Sequence, residues 1–224
     1  MSRPRLLDLF CGAGGAAVGY HRAGFDVVGV DIKPQKNYPF EFHQADALEV
    51  LHDLPKGRPV GLHHLSMFDA IHASPPCQAY SSLRSLHATE HPDLVDATRS
   101  LLEATGLPWV IENVPGSPVR GDLVLCGSMF GLGANGRQLR RHRRFEASHL
   151  ILAPGKCNHV GQPVGVYGHG GGGQMTRGYK GSLSEYREAM GMPDYNKAEI
   201  AQAIPPAYTE WIGAQLLRAI EVAP

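Results

Sequence analysis

A cysteine behind two prolines and before a glutamine, Ser74-Pro75-Pro76-Cys77-Gln78, is the residue of this chain placed most like a nucleophile. A thiolate is intrinsically very nucleophilic, and the prolines stop any helix or sheet ladder and stiffen the loop that presents it. A buried, inert cysteine is the alternative reading. A carboxylate, Glu112 of Glu112-Asn113, lies 35 residues further on at the end of another apolar run, so both groups can face one crevice. A carboxylate capping the next turn would look the same. Arg137, Arg140, Arg141, Arg143 and Arg144 fall within eight residues around His142. That density suits phosphate contacts and an oxygen-binding arginine near the nucleophile, although a solvated face also gathers charge.

Near the N-terminus, Gly12, Gly14 and Ala17 match G-x-G-x-x-A, and Asp31 lies at a distance suited to two ribose hydroxyls of a nucleoside-bearing cofactor. A nicotinamide and an S-adenosyl cofactor both fit that pattern. Phe10-Cys11 at the turn entry and Asp46, placed to accept from an adenine amino group, argue against a dinucleotide.

The elements that must carry these residues alternate. Arg5 to Leu9 reads as a strand, the glycine turn 11–15 leads into a helix through about Ala23, and Phe25 to Val30 is a second strand ending at Asp31. Further strands are predicted over 67–73, 109–111, 123–126 and 144–152, and helices over 92–105, 183–190 and 207–220. This order predicts an α/β, doubly wound, mostly parallel sheet with ligands at the carboxyl ends of its strands. The stretch 164–180, with its run Gly168 to Gly173 followed by Arg177 and Lys180, reads as a flexible loop with either a contact role or a connector role.

At 224 residues the chain suits one medium domain, 1–224, closed by a helix over 207–221. Its 43% hydrophobic and 19% charged residues, without a block of like charge, exclude disordered and fibrous classes. The run near the N-terminus is broken by Asp8 and glycines, and no stretch reaches the roughly 18 apolar residues of a membrane span, so neither a signal peptide nor an anchor is expected. Cys11, Cys77, Cys126 and Cys157 are scattered without CxxC spacing, and His63-His64 and the pair Cys157/His159 give no convincing ligand set, so no metal is expected. A formal net charge of +0 neither demands nor forbids a nucleic-acid partner.

Taken together, Asp8-Leu9-Phe10-Cys11-Gly12-Ala13-Gly14-Gly15, Ser74-Pro75-Pro76-Cys77-Gln78, Glu112-Asn113-Val114, Arg141-His142-Arg143, 190–195 and Ala203-Ile204-Pro205-Pro206 resemble, in order, the motifs of the DNA cytosine-C5 methyltransferases. The resemblance runs from Arg5 to about Leu217, in the style of small orphan bacteriophage enzymes. It implies a Rossmann-like S-adenosylmethionine-dependent fold with Cys77 as nucleophile, Glu112 at cytosine N3 and the amine, Arg143 at O2, and Arg141 supporting the site and a phosphate. It implies S-adenosylmethionine against Phe10, Gly12, Gly14 and Gly15, with Asp31 on the ribose, Ile32, Asp46 and Ala47 at the adenine, and Pro76, Ala203 and Ile204 closing the other side. DNA is the expected partner, with no membrane and no obligate protein partner, and a cytoplasmic monomer is expected. Leu139, Ser184 and Ala201-Gln202 depart from the family pattern, and only the reduced region 145–182 stands where the family inserts a recognition domain, which implies short or absent sequence specificity. The same chemistry on RNA, on cytosine nucleotides or with a modified sulfonium donor, and a non-catalytic binding relative, are the competing readings.

Overall fold

The computed structural model describes residues 2–76, 94–121, 123–166 and 179–222. Its elements follow as β1 (Arg5–Leu9), α1 (Gly15–Ala23), β2 (Asp26–Asp31), β3 (Glu41–Gln44), α2 (Ala47–Asp53), β4 (Ala70–Ala73), α3 (Val95–Thr105) and β5 (Trp109–Asn113). The second half adds β6 (Leu123–Leu125), β7 (Gly133–Ala134), β8 (Arg137–Gln138), β9 (Arg143–Ala147), α4 (Leu183–Met190), α5 (Lys197–Gln202) and α6 (Pro206–Val222).

Seven strands form one sheet in the order β3-β2-β1-β4-β5-β9-β6, and β7 and β8 make a separate hairpin. The first five run parallel, whereas β9 runs antiparallel to both β5 and β6. Because the chain winds outward from β1 and returns beside it as β4, the strand order reverses between those two strands. A crevice opens at such a switch point, outside the carboxyl ends of the strands. The reversal of β9 brings its first residue, Arg143, to this same edge, since Asn113 pairs with Arg144.

Both faces of the sheet are covered, so its central strands are continuous apolar runs rather than alternating ones. Leu6, Val27, Ala70 and Val110 point toward α1 and α6, where Tyr20, Phe25, Tyr208, Ile212 and Leu216 pack. Leu7, Leu9, Val28, Ile71 and Ile111 point the other way, toward Leu51 of α2 and Val95 and Leu102 of α3. A smaller cluster gathers Leu139, Val164 and Val166 with Tyr186, Met190 and Ile200 of α4 and α5. Helix α3 is fastened to β9 by Arg99, whose Nε lies 2.6 Å from Glu146 Oε1, while Arg120 N donates to Glu146 Oε2.

Several predicted boundaries move. The run 67–73 divides into a short 3-10 turn, Leu65–Met67, and β4, and Glu112 and Asn113 belong to β5 rather than to the loop after it. The strand expected over 144–152 stops at Ala147 because Ser148 Oγ accepts the Trp109 N–H that would continue the ladder. Helix α5 was not anticipated; Asn196 caps it, accepting from Ala198 and Glu199 N–H groups, with Glu199 completing a capping box.

The α1–α6 contact depends on a missing side chain. A Cβ at Gly19 would stand 2.1 Å from both Pro206 O and Thr209 Oγ1, and the Thr209 hydroxyl donates to Ala16 O at 2.8 Å. Alanine in place of glycine favours an exposed helix by about 1 kcal/mol. Overpacking at this backbone contact outweighs that gain, so Gly19→Ala should lower the urea midpoint by an amount corresponding to about 1–3 kcal/mol. An unchanged or raised midpoint would show that the helices are not in close contact there.

Candidate active site

The turn between β1 and α1 takes its shape from three residues in the left-handed region, Phe10 (φ 55°), Gly12 (φ 51°) and Gly14 (φ 94°). Phe10 is not a glycine, and such a conformation costs roughly 1–3 kcal/mol. Asp31, at the tip of β2, holds the turn open: its Oδ2 accepts from Gly12 N at 2.9 Å and its Oδ1 from Lys33 N at 2.9 Å. A carboxylate offers about four lone-pair sites, so capacity remains for ribose hydroxyls. Ile32 follows with its side chain 63% exposed, an apolar face at the strand end. Asp46 caps α2 through Oδ1, accepting from Leu48 and Glu49 N–H groups, and Ala47 is buried at the first turn. On the opposite side, a Cβ at Gly15 would lie 2.5 Å from Ile204 O and 3.0 Å from Ala203 Cβ. The segment after α5 therefore rests on the glycine turn. Phe10 to Gly15, Asp31 and Ile32, Asp46 and exposed Pro76 stand at or shortly after the carboxyl ends of the parallel strands β1 to β4, and Ala203 and Ile204 meet the first turn at Gly15.

Glu112 lies on β5 with its side chain withdrawn from water, and Arg143 Nε is 2.9 Å from Glu112 Oε1 across the β5–β9 pair. Burial raises the pKa of Glu112 above the ordinary carboxylate range, against the lowering effect of Arg143, a hydrogen bond from Ser74 and the charge of Arg141. The net effect favours the protonated carboxyl more than an exposed glutamate would. Behind it runs a chain that the sequence did not reveal. Tyr20 Oη is 3.0 Å from His72 Nδ1, and His72 Nε2 is 2.9 Å from Ser74 Oγ. Complete burial lowers the pKa of His72 to about 3, so the ring is neutral. One consistent assignment has the Tyr20 hydroxyl donating to Nδ1, the Nε2–H donating to Ser74, and the Ser74 hydroxyl donating to Glu112.

Cys77 lies outside the described residues, as do the run Gly168 to Gly173 and Arg177. The described residues nevertheless show how its loop is anchored. Asn113 is buried, its Nδ2 donates to Pro75 O at 3.0 Å, and its Oδ1 accepts from Val114 N at 2.8 Å. The asparagine beside Glu112 thus ties the end of β5 to the proline loop that leaves β4. By contrast, Cys11 is no candidate nucleophile, because burial beside Asp8 and Asp31 drives its thiol pKa far upward.

The arginine cluster is engaged within the protein. Arg141 donates to Val166 O at 3.2 Å and Ala201 O at 2.7 Å, Arg144 to Ser117 O and Gly121 O, and Arg140 to Gly161 O. Arg137 stacks over the Tyr179 ring at 4.4 Å. These bonds tie the loops around β8 and β9 together, because their carbonyls lack backbone partners and guanidinium groups satisfy them. Arg143 is the member aimed at a catalytic-type carboxylate. Cys157 and His159, which gave no ligand set in the sequence, lie together with Cys126 and His142.

The fold is that of methyltransferases of known structure. A candidate DNA modification methyltransferase encoded within an Escherichia coli prophage superposes with a TM-score of 0.61 at 16% identity, over 97% of this chain and 99% of that one. The Schizosaccharomyces pombe Dnmt2 methyltransferase gives 0.56 at 13% identity, over 97% and 99%. The family model of C-5 cytosine-specific DNA methylases matches residues 4–117, just over half of the chain, and the chain belongs to that family. Among curated relatives, the Type II methyltransferase M.XorII of Xanthomonas oryzae pv. oryzae is 30% identical over 127 residues, covering 53% of this chain and 30% of the relative. M.FnuDI of Fusobacterium nucleatum is 32% identical over 96 residues, covering 39% and 25%. The matches thus span less than a third of the length of these relatives. Membership implies S-adenosylmethionine as methyl donor. The exposed Ile32 beside Asp31 offers an apolar face at the end of β2 for the adenine of such a donor, and the 203–204 segment borders the same turn through its contact with Gly15. Among the described residues no helix is long and apolar enough to cross a membrane.

Beneath the turn, Asp8 is completely buried, accepts from the Tyr38 hydroxyl at 3.3 Å, and leaves Oδ1 without a hydrogen-bond partner. Burial raises its pKa to about 8, helped by the charge of Asp31 and opposed by the Tyr38 bond. The folded chain therefore binds this proton more tightly than the unfolded chain. The associated stability is complete below the ordinary value of 3.8 and is lost as pH rises toward about 8. Asp8→Asn, which keeps the shape and cannot ionise, should flatten the decline in urea stability between about pH 5 and pH 8. An identical decline in the variant would assign it to other groups.

Proposed function

We propose that this protein transfers a methyl group from S-adenosylmethionine to C5 of cytosine in DNA, through a covalent bond between Cys77 and C6. The observation that carries this reading is the pair of buried Glu112 and half-buried Arg143 beside the Ser74-Pro75-Pro76 strand end, at the edge where the glycine turn and Asp31 also lie. Cytosine C5 is a poor nucleophile. Addition of the Cys77 thiolate to C6 forms an S–C bond and pushes the ring electrons toward C5, giving an enamine-like ring. Glu112 holds N3 and the exocyclic amine and donates a proton to N3 as charge develops there, while the Arg143 guanidinium faces O2. When bound, S-adenosylmethionine supplies the electrophilic methyl that C5 takes. Loss of the C5 proton to a base then expels the Cys77 thiolate, the N3 proton returns to Glu112, and the aromatic ring is restored.

The remaining residues position these groups. Asn113 holds the loop before Cys77, and Arg141 joins the carbonyl of Ala201 to the start of β9, so that the segment closing the cofactor site stays in register with Arg143. A base inside a duplex cannot reach such an edge, so the target cytosine is flipped out or already single stranded. The chain acts as one catalytic unit, 1–224, whose region 145–182 takes the place of a recognition domain and reads little sequence. The irregular stretch after β9 favours, as a second reading, an unpaired substrate such as single-stranded DNA or RNA.

Incubation with S-adenosylmethionine and mixed-sequence DNA, followed by nucleoside mass spectrometry, tests the proposal. 5-Methylcytosine should appear with the wild type and not with Cys77→Ser, which should still bind S-adenosylmethionine. Glu112→Gln should reduce the rate by about 10²–10⁴-fold, the usual contribution of a general acid. Methylated RNA with unmodified DNA would select the second reading, and full activity of Cys77→Ser would remove the covalent mechanism.

A further inference from the structure

Cys126, His142, Cys157 and His159 come from three separate segments, and their ligand atoms all lie within 4.8 Å of one another. Cys126 follows β6, His142 immediately precedes β9, and Cys157 and His159 sit on the irregular stretch beyond β9. Cys126 Sγ is 3.4 Å from His159 Nε2, and Cys157 Sγ is 3.4 Å from His142 Nε2 and 2.7 Å from His159 Nε2. A tetrahedral zinc ion, with bonds of about 2.3 Å to sulfur and about 2.0 Å to nitrogen, places its ligand atoms roughly 3.3–3.8 Å apart. Two of these three distances already fall in that range. The third needs only a small opening between two exposed residues.

We propose that Cys126, His142, Cys157 and His159 form a closed, structural zinc site that fastens the stretch after β9 to the sheet beside Arg143. Two thiolates and two neutral imidazoles balance the ion's charge and leave no open position for substrate, so the metal takes no part in methyl transfer. The Ser128 hydroxyl lies 3.4 Å from Cys126 Sγ and 3.5 Å from Cys157 Sγ, where it can donate to either thiolate.

The surroundings supply the reason for such a tie. Residues 148–166 contain no helix and no multi-residue strand, and they leave Leu150, Leu152 and Val160 exposed at 80%, 60% and 65%. Apolar burial in this run is confined to its ends, at Ile151 and at Val164 and Val166, so the part between them needs other fastenings. The fastenings present are polar contacts spread along it: Trp211 Nε1 and Gln215 hold Leu152, the Gln138 side chain meets Asn158 O and Val160 N, and Arg140 and Arg141 donate to Gly161 O and Val166 O. A metal would add an anchor through the side chains of Cys157 and His159, tying them to the ends of β6 and β9. The other histidine grouping, Glu41 with His43 and His63, is accounted for without an ion, because one exposed carboxylate oxygen bonds to both rings.

The test uses the full chain, reduced, stripped of metal and titrated with Zn²⁺ against a chromophoric chelator, with Co²⁺ loading to report geometry. One ion per chain, tetrahedral cobalt bands and thiolate-to-cobalt charge transfer are expected. Cys157→Ser and His159→Gln lie on the exposed stretch and should each weaken binding by more than about tenfold, over about 1.4 kcal/mol. His64→Gln, at an exposed position outside the set, should bind as the wild type does, and circular dichroism checks that all variants fold. No stoichiometric ion, octahedral cobalt bands, or undiminished affinity in Cys157→Ser and His159→Gln would overturn the site. None of these readouts depends on methyl transfer, so the site and the proposed activity fail separately.

Discussion

The contact on which the site depends is the pair of buried Glu112 and half-buried Arg143, held at 2.9 Å across two antiparallel strands. Withdrawing a carboxylate and a guanidinium from water costs several kcal/mol per ion, and their attraction recovers that cost only with good geometry and further hydrogen bonds. Such a pair is therefore a poor device for stability. Here it is placed where chemistry can use it: its carboxyl carries a raised pKa, and its guanidinium is a fixed donor at the mouth of a crevice. The Tyr20–His72–Ser74 chain beneath it supplies the polar contacts that an isolated buried carboxylate would lack.

The rest of the fold keeps that pair aligned with two loops. Parallel β1, β2, β4 and β5 end at one edge, and β9, running the other way, begins there. Small residues then let separate elements meet: Gly19 admits α6 against α1, and Gly15 admits the 203–204 segment against the first turn. Arg141 and Asn113 join what the strands alone would leave loose, the first reaching Val166 and Ala201, the second Pro75. The edge that carries the glycine turn and Asp31 and the edge that carries Glu112 and Arg143 are thus one rim of one sheet.

Much of this rim was legible in the sequence, because apolar runs that stop at glycine, Asp31 or two prolines mark strand ends with little ambiguity. The less legible parts depend on partners distant along the chain. The bonds of Arg140 and Arg141 to the loop carbonyls of Gly161, Val166 and Ala201 have no local sign in the run 137–144. His72 reads as an ordinary strand residue until Tyr20, 52 positions away, is beside it. Asn113 carries no local sign of its bond to Pro75, and Cys126, His142, Cys157 and His159 have no recognisable ligand spacing because stretches of about 15 residues, holding β7, β8 and β9, separate the three segments. Helix α5 is too short for its periodicity to stand out, and only its capping pair, Asn196 and Glu199, announces it.

The central claim, a covalent bond between Cys77 and the cytosine ring, is tested most directly with DNA carrying 5-fluorocytosine. Fluorine at C5 cannot leave as the proton does, so release of the thiolate is blocked after methyl transfer. Incubation with S-adenosylmethionine, followed by denaturing electrophoresis and peptide mass spectrometry, should yield a stable protein–DNA species whose added mass, base and methyl together, maps to Cys77. Turnover of ordinary DNA to 5-methylcytosine with no such species, or an adduct on another residue, would contradict the account.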